Sequence, residues 1–287
     1  MKKFIGILFG VLLITSFVGF SGCIGGDSNN TTTTTTTTTT NELSGTLKIE
    51  GSTTVLPIAK EAAKQFMIKN PKVKVEVSGG GSGVGVKAAG QGLADIGMAS
   101  REIKSAEKET YPELITHPVG LDGVAIVVNP ANPVKSITKE QIKKIYAGEI
   151  TNWKELGGND AQINVYTRDE ESGTREVFFE KALDKSKIFK RATVVTSNGN
   201  MKSAVKGDEN AIGYLSIGYI DNNVKGLEFE GALPTEENVK NGKYKVSRNL
   251  NMITNGEPKG LAKEYLDFVL SPEGQEIVKK EGYMPIK

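Results

Sequence analysis

From about residue 43 to the C-terminus, apolar residues recur first with period two and then with helical spacing, again and again. That rhythm restricts the chain to an α/β fold. Residues 46–50 alternate as a strand, and Ile58, Ala62, Ala63, Phe66 and Met67 place a helix over 56–69 that stops at Asn70-Pro71. Val73, Val75 and Val77 alternate with Lys74 and Glu76 as a half-buried strand running into a glycine loop. A short helix over 84–91 and a strand over 95–99 follow. Residues 124–128 are continuously apolar, as in a strand buried on both faces. Thr138 and Gln141 form a capping box for a helix over 139–146. Further helices are predicted over 173–183, 257–270 and 272–281, the last with Ser271 as N-cap and Pro272 at its first position. Strands are predicted over 211–214 and 246–253. The β-α-β succession predicts parallel strands, with ligands bound beyond their carboxyl ends.

Three of these helices are preceded by the same chemistry: Gly51-Ser52-Thr53-Thr54, Gly79-Gly80-Gly81-Ser82-Gly83 and Ser172-Gly173-Thr174-Arg175. Glycine lets a backbone approach a ligand and hydroxyls donate short hydrogen bonds. The free N–H groups and positive dipole end of a helix start favour an anion. Taken singly, Ser172 is equally an ordinary N-cap and the glycine run an ordinary turn. Together they point to one anion gripped from several sides, that is, to binding rather than chemistry.

Other chemistries have thin support. Gly83-Val84-Gly85-Val86-Lys87-Ala88 fits the loose dinucleotide fingerprint, but a lone match is weak, and no phosphate-loop lysine motif is present. His117 is the only histidine, so a histidine-dependent triad would rest on it alone; between Thr116 and Pro118 it reads as a loop or interface residue. One histidine and one cysteine leave only carboxylates for a metal, so no metal site or cofactor is expected. Trp153 and the tyrosines read as packing residues. Basic residues number 36 and acidic residues 34, and loss of Lys2 and Lys3 with a cleaved leader equalises them. A chain with no global basic field is not expected to bind nucleic acid.

Residues 1–22 read as a secretory signal: Lys2 and Lys3, then an apolar run over 4–20, then small residues. An uncleaved membrane anchor is the alternative, although the run is short for a span. Cys23, the only cysteine, excludes an intramolecular disulfide. Its placement resembles a lipobox, with Phe20 where leucine is usual, and implies lipidation of Cys23. Residues 23–43 contain ten consecutive threonines, Thr31 to Thr40, and read as a solvated tether. Asn29 and Asn30 fit the N-glycosylation pattern. A tether of this kind places the body at the outer face of a membrane.

The ordered motifs of the body resemble the phosphate-binding proteins of ABC transporters. They comprise Gly51 through Ile58, Gly79 through Gly85, Ala94 through Arg101, Ile150-Thr151-Asn152-Trp153, Arg168, Ser172 through Phe178, Ala211 through Tyr214, and Phe268 through Gln275. The resemblance implies a two-lobed periplasmic-binding-protein fold, type II-like, each lobe a mixed sheet flanked by helices. The chain would cross between lobes near 122–129 and 245–249, making lobe 1 from 44–125 plus 247–287 and lobe 2 from 126–246. It implies that Ser52, Thr53, Thr54 and Ser82 grip phosphate from one lobe and Arg168, Ser172, Gly173 and Thr174 from the other. Independently of the resemblance, Arg168 can offer a bidentate, charge-assisted fork; a surface ion pair with Asp169, Glu170 or Glu171 is its alternative.

One position departs from the family. Some members carry an aspartate after the Ala-Ser of the strand-end motif, where it accepts the proton of bound phosphate; this chain has Arg101. Arginine cannot accept a hydrogen bond and would attract any oxyanion. Asp122 is the candidate acceptor in its place, its alternative being a charge partner to Arg101 or to a hinge amide. The implied function is a monomeric, non-enzymatic carrier that delivers phosphate to the permease subunits of an ABC importer. A binding protein for sulfate, molybdate or tungstate, a surface phosphohydrolase and an adhesion module stay open as alternatives.

Overall fold

The computed structural model describes residues 42–286, so the apolar segment 4–20, Cys23, Asn29, Asn30 and the threonine run lie outside the described residues. Strand β1 (Gly45–Gly51) leads to α1 (Leu56–Lys69), β2 (Val73–Gly79), α2 (Ser82–Gly90), β3 (Ile96–Ala99) and α3 (Ser105–Thr110). The 15-residue β4 (Leu114–Val128) follows, then β5 (Ser136–Ile137), α4 (Lys139–Ala147), β6 (Asn164–Arg168) and α5 (Gly173–Lys181). Next come β7 (Thr193–Val195), α6 (Asn198–Gly207), β8 (Ala211–Ser216), β9 (Lys225–Gly226), β10 (Glu228–Phe229) and α7 (Glu236–Lys240). Strand β11 (Ser247–Asn255), α8 (Gly260–Leu270) and α9 (Pro272–Lys280) end the described chain. No described helix is long and apolar enough to cross a membrane.

Local signals set several boundaries. Helix α1 buries Ile58, Ala62, Ala63 and Phe66 of the predicted stripe together with Ala59, leaves Met67 half-buried, and is capped by the Asn70 side chain on the Phe66 carbonyl. Burial of a side chain such as Phe66 contributes about 1.5–3 kcal/mol. The Thr138–Gln141 capping box closes in both directions at α4, and Ser271 accepts from the Gly274 N–H at the start of α9.

The strands form one curled sheet in the order β2-β1-β3-β11-β4-β8-β6-β7, with β9 also on β4 and a separate β5–β10 pair. Strand β1 is parallel to β2 and β3, and β6 is parallel to β7 and β8. The expectation of parallel strands fails at the centre. Strand β11 returns from the far end of the chain between β3 and β4 and runs antiparallel to both, and β4 is antiparallel to β8. Buried apolar side chains fall into two main groups. One draws on 47–119 and 250–283; the other draws on 124–246 with Met284. The long strand β4 belongs to both, pairing with β11 up to Gly123 and with β8 from Val124.

Candidate functional site

The carboxyl ends of β1, β2 and β3 lie side by side, because these strands are parallel. After β1 the Ser52 hydroxyl oxygen accepts from the N–H groups of Thr54 (3.2 Å) and Val55 (3.4 Å), so Ser52 stabilises the turn into α1. Two glycines let α2 press onto the sheet. A Cβ at Gly51, whose φ is +137°, would lie 2.4 Å from the Met98 carbonyl oxygen, and one at Gly85 would lie 2.3 Å from the same atom. Part of the glycine pattern therefore serves helix–sheet contact rather than ligand approach. At the start of α2 the Ser82 hydroxyl accepts from the Ser100 N–H at 3.0 Å and lies 3.3 Å from the Ser100 hydroxyl.

The second core meets this face with the ends of its own parallel strands. Arg168 ends β6 and is 2% exposed. Its backbone N–H donates to the Tyr214 hydroxyl at 3.0 Å, and Tyr214 stacks on Phe178 with 4.0 Å between ring centroids. Burial pushes the Tyr214 phenol up to about 12, so it stays protonated at neutral pH. Of the Arg168 guanidinium, Nη2 donates to the Thr196 carbonyl at 3.0 Å, while Nε and Nη1 are buried without a partner. No carboxylate pairs with it among the described residues; Glu170 pairs with Arg175 and Glu171 with Lys87. Burial draws the guanidinium down from its ordinary value, the expected consequence of stranding a cation away from water. The surface ion pair weighed for Arg168 is therefore not what forms.

Helix α5 opens beside it. The Ser172 hydroxyl accepts from the Arg175 N–H at 3.1 Å, an N-cap role. Gly173 packs so closely on the first core that a Cβ there would lie 2.3 Å from the Ser82 hydroxyl. The Thr174 hydroxyl lies 3.3 Å from the Thr54 hydroxyl, which joins the two cores directly. Asn198, at the start of α6, donates to the Thr54 hydroxyl at 2.8 Å and more weakly to Thr53 at 3.4 Å; the Thr53 carbonyl accepts from the Tyr219 hydroxyl at 2.8 Å.

Asp122 and Arg248 stand opposite each other on β4 and β11. Arg248 grips Asp122 through Nε (2.9 Å) and Nη2 (2.7 Å), and the Ser216 hydroxyl donates to the other carboxylate oxygen at 2.8 Å. The same guanidinium donates to Thr174 (3.0 Å) and Thr54 (3.1 Å). Asp122 is fully buried; burial pushes its carboxyl above its ordinary value, and the Arg248 fork and the Ser216 hydroxyl counter that only in part. Its charge partner is thus Arg248 rather than Arg101, and the Gly123 backbone N–H of the crossover segment also favours its charged form.

Arg101 requires a correction. Its guanidinium makes a two-pronged pair with Glu107 (2.7 and 2.8 Å) and donates to the Glu102 carbonyl at 2.8 Å. Carboxylate geometry matches the guanidinium fork, so the cation at the end of β3 is spent on α3 instead of standing free for an oxyanion. Contacts link Thr54 with Thr174, Asp122 with both through Arg248, and Ser82 with Gly173, while Arg168 keeps its own free donors; the Ser52 hydroxyl holds a turn, the Ser172 hydroxyl caps α5 and Thr53 lies at the margin. Sequence reasoning missed Arg248, Asn198, Ser100 and Ser216. Asn198 had a local signal, because Ser197 accepts from the Asn200 N–H and opens a helix; Arg248 had none. No group of three or more His, Cys, Asp or Glu side chains suited to a metal gathers among the described residues.

Residues 32–273 match the family model of the PBP superfamily domain. The phosphate-binding protein PstS of Bacillus subtilis is 38% identical over 245 residues, covering 85% of this chain and 81% of that protein. The protein of the same name from Borreliella burgdorferi is 34% identical over 261 residues, covering 84% and 90%. A solved structure of a putative phosphate ABC transporter substrate-binding protein with bound phosphate, from Clostridium perfringens, is 42% identical. It superposes with a TM-score of 0.81 over 85% of this chain and all of that one. An ABC-type phosphate transport receptor from Vibrio cholerae, 37% identical, superposes with a TM-score of 0.70 over 84% of this chain and all of that one.

Proposed function

The chain belongs to the PBP superfamily and, within it, to the phosphate-binding PstS proteins, and we propose from that membership that it captures one inorganic phosphate ion for delivery to an ABC importer. The observation that carries this reading is the Arg168 guanidinium, buried with two N–H donors unpartnered, in a protein whose two cores also bring the Thr54 and Thr174 hydroxyls together. Stranded donors of this kind cost free energy until an acceptor meets them, and a tetrahedral oxyanion presents several acceptors at once. The Ser82, Thr54 and Thr174 hydroxyls supply further donors.

The two cores act as lobes, 44–125 with 247–287 and 126–246. Only the closed arrangement joins Thr54 to Thr174 and Asn198 to Thr54, so an anion touching both sides shifts the opening equilibrium toward closure. A carrier fits the site better than an enzyme does, because the one carboxylate in the cluster, Asp122, is already held by Arg248 and Ser216. In this reading the remaining lone pair of the Asp122 oxygen that faces Ser216 accepts the proton of bound phosphate, which sulfate lacks at neutral pH. Export by residues 1–22, lipidation at Cys23 and the tether over 23–43 would hold a monomeric body at the outer face of the membrane, within reach of the permease.

The test is calorimetric titration of the full-length chain, stripped of ligand by unfolding and refolding. One-to-one binding of phosphate without a response to sulfate is expected. Binding of sulfate with equal strength, or of neither anion, would overturn the proposal. Hydrolysis of a chromogenic phosphate ester would overturn the carrier role.

A further inference from the structure

Arg248 carried no signal as a site residue, yet its guanidinium touches three members of the cluster, Asp122, Thr54 and Thr174. A hydroxyl has one hydrogen and two lone pairs. The Thr54 oxygen accepts from Asn198 Nδ2 at 2.8 Å and from Arg248 Nη2 at 3.1 Å, which fills both lone pairs. Thr54 can therefore only donate, to Thr174 or to a ligand. Thr174 accepts from Arg248 Nη1 at 3.0 Å and cannot pass its hydrogen back to Thr54, whose lone pairs are taken. Where Thr54 donates to Thr174 it fills the second Thr174 lone pair, so that the Thr174 hydroxyl too can only donate and its hydrogen is left for the ligand. Meanwhile Arg248 cancels the charge of Asp122, so Arg168 is the only uncompensated cation of the cluster among the described residues.

Resting on the phosphate-binding reading, we infer that Arg248 is a positioning residue that determines which protonation state of the oxyanion is taken, by locking the Thr54 and Thr174 hydroxyls as donors. A donor-only Thr174 hydroxyl meets a bare anion oxygen and opposes a second proton on phosphate, since two hydrogens would then face each other. The doubly protonated anion is the poorer ligand, and affinity falls as pH drops through the second ionisation of phosphate. Lysine at 248 would keep the charge opposite Asp122 but offers a point charge in place of a planar fork. It could not hold Asp122 and both threonines together, and the freed hydroxyls could then turn to accept a proton.

The experiment is phosphate titration of the full-length chain across about pH 5 to 8.5, for wild type, Arg248→Lys, Thr174→Val and the double variant. Arg248→Lys is expected to lose about tenfold at neutral pH, the worth of one good hydrogen bond, with a visibly shallower fall in acid. Thr174→Val is expected to cost clearly less in the Arg248→Lys background than in wild type, because both changes remove the same directed donor. Parallel pH profiles, or losses that add, would overturn the inference while leaving phosphate binding intact. Should Arg248→Lys not fold, Thr54→Val carries the same test: the lock predicts a shallower acid limb there too, and an unchanged limb overturns it. A wild-type chain that ignores phosphate would instead sink the underlying reading, so the two failures are distinguishable.

Discussion

At the scale of single residues, the site is a set of unfinished hydrogen bonds. Arg168 leaves Nε and Nη1 unpartnered under 2% exposure, an arrangement that costs stability in the empty protein. Replacing the cation with an apolar group of similar length removes that cost along with the binding. Arg168→Met should therefore weaken phosphate at least a hundredfold, while ligand-free stability in urea holds or rises by about 1 kcal/mol. A variant that binds normally, or that is destabilised when empty, would contradict this. Gly173 makes a second prediction. A methyl there would meet the Ser82 hydroxyl at 2.3 Å across the two cores. Gly173→Ala should cut phosphate affinity roughly tenfold or more, as overpacking commonly costs about 1–3 kcal/mol, and do so mainly by hindering closure. Scattering of the ligand-bound variant would report a more open form than wild type.

At the scale of elements, α3 is fastened to the end of β3 by one ion pair. Burial alone would raise the Glu107 carboxyl, but the Arg101 hydrogen bonds, the Lys104 N–H and the Arg101 charge hold it below its ordinary 4.5. A carboxyl lowered by folding contributes stability that is fully present above its unfolded value and is lost as pH falls through the folded one. Glu107→Gln should thus flatten the acid limb of thermal stability below about pH 4.5 and leave phosphate affinity near neutrality largely unchanged. Loss of phosphate binding in that variant would mean that Arg101 belongs to the site after all. Elements whose boundaries depend on nearby residues were legible in the sequence. Helix α1 has its expected ends, and the caps at Thr138 and Ser271 form as read. The N-terminal half of β4 was not legible, because Thr116, His117, Pro118 and Asp122 interrupt the apolar pattern there. Its strand character comes from β11, which pairs along it from more than 120 positions away. The same register creates the Arg248–Asp122 pair, so no local pattern could announce Arg248. The glycine loops and Arg168 carried their own signal, and the duty of Arg101 was misjudged because its partner, Glu107, sits on a helix the sequence did not suggest.

At the scale of the whole molecule, contacts between the two cores are of unequal weight. Glu171 accepts from the Gly83 N–H at 3.0 Å through its carbonyl and from Lys87 at 2.8 Å through its carboxylate. The Lys87–Glu171 pair is substantially exposed, with side chains 55% and 41% accessible, and exposed pairs are weak and screened by salt. Glu171→Gln should lower phosphate affinity only about two- to fivefold at low ionic strength, a difference that vanishes near 1 M salt. A loss that persists in high salt would assign Glu171 a larger part in closure. The two cores also differ in how the chain composes them. The 124–246 core is nearly contiguous, whereas the other needs both 47–119 and 250–283. A chain that emerges N-terminus first holds almost everything for the contiguous core before Leu250 appears, while its earlier residues must wait for the last strand and helices. Folding from the middle outward is the order this composition favours, and the segment then left longest open to proteases or to sticking to its neighbours is the one made first.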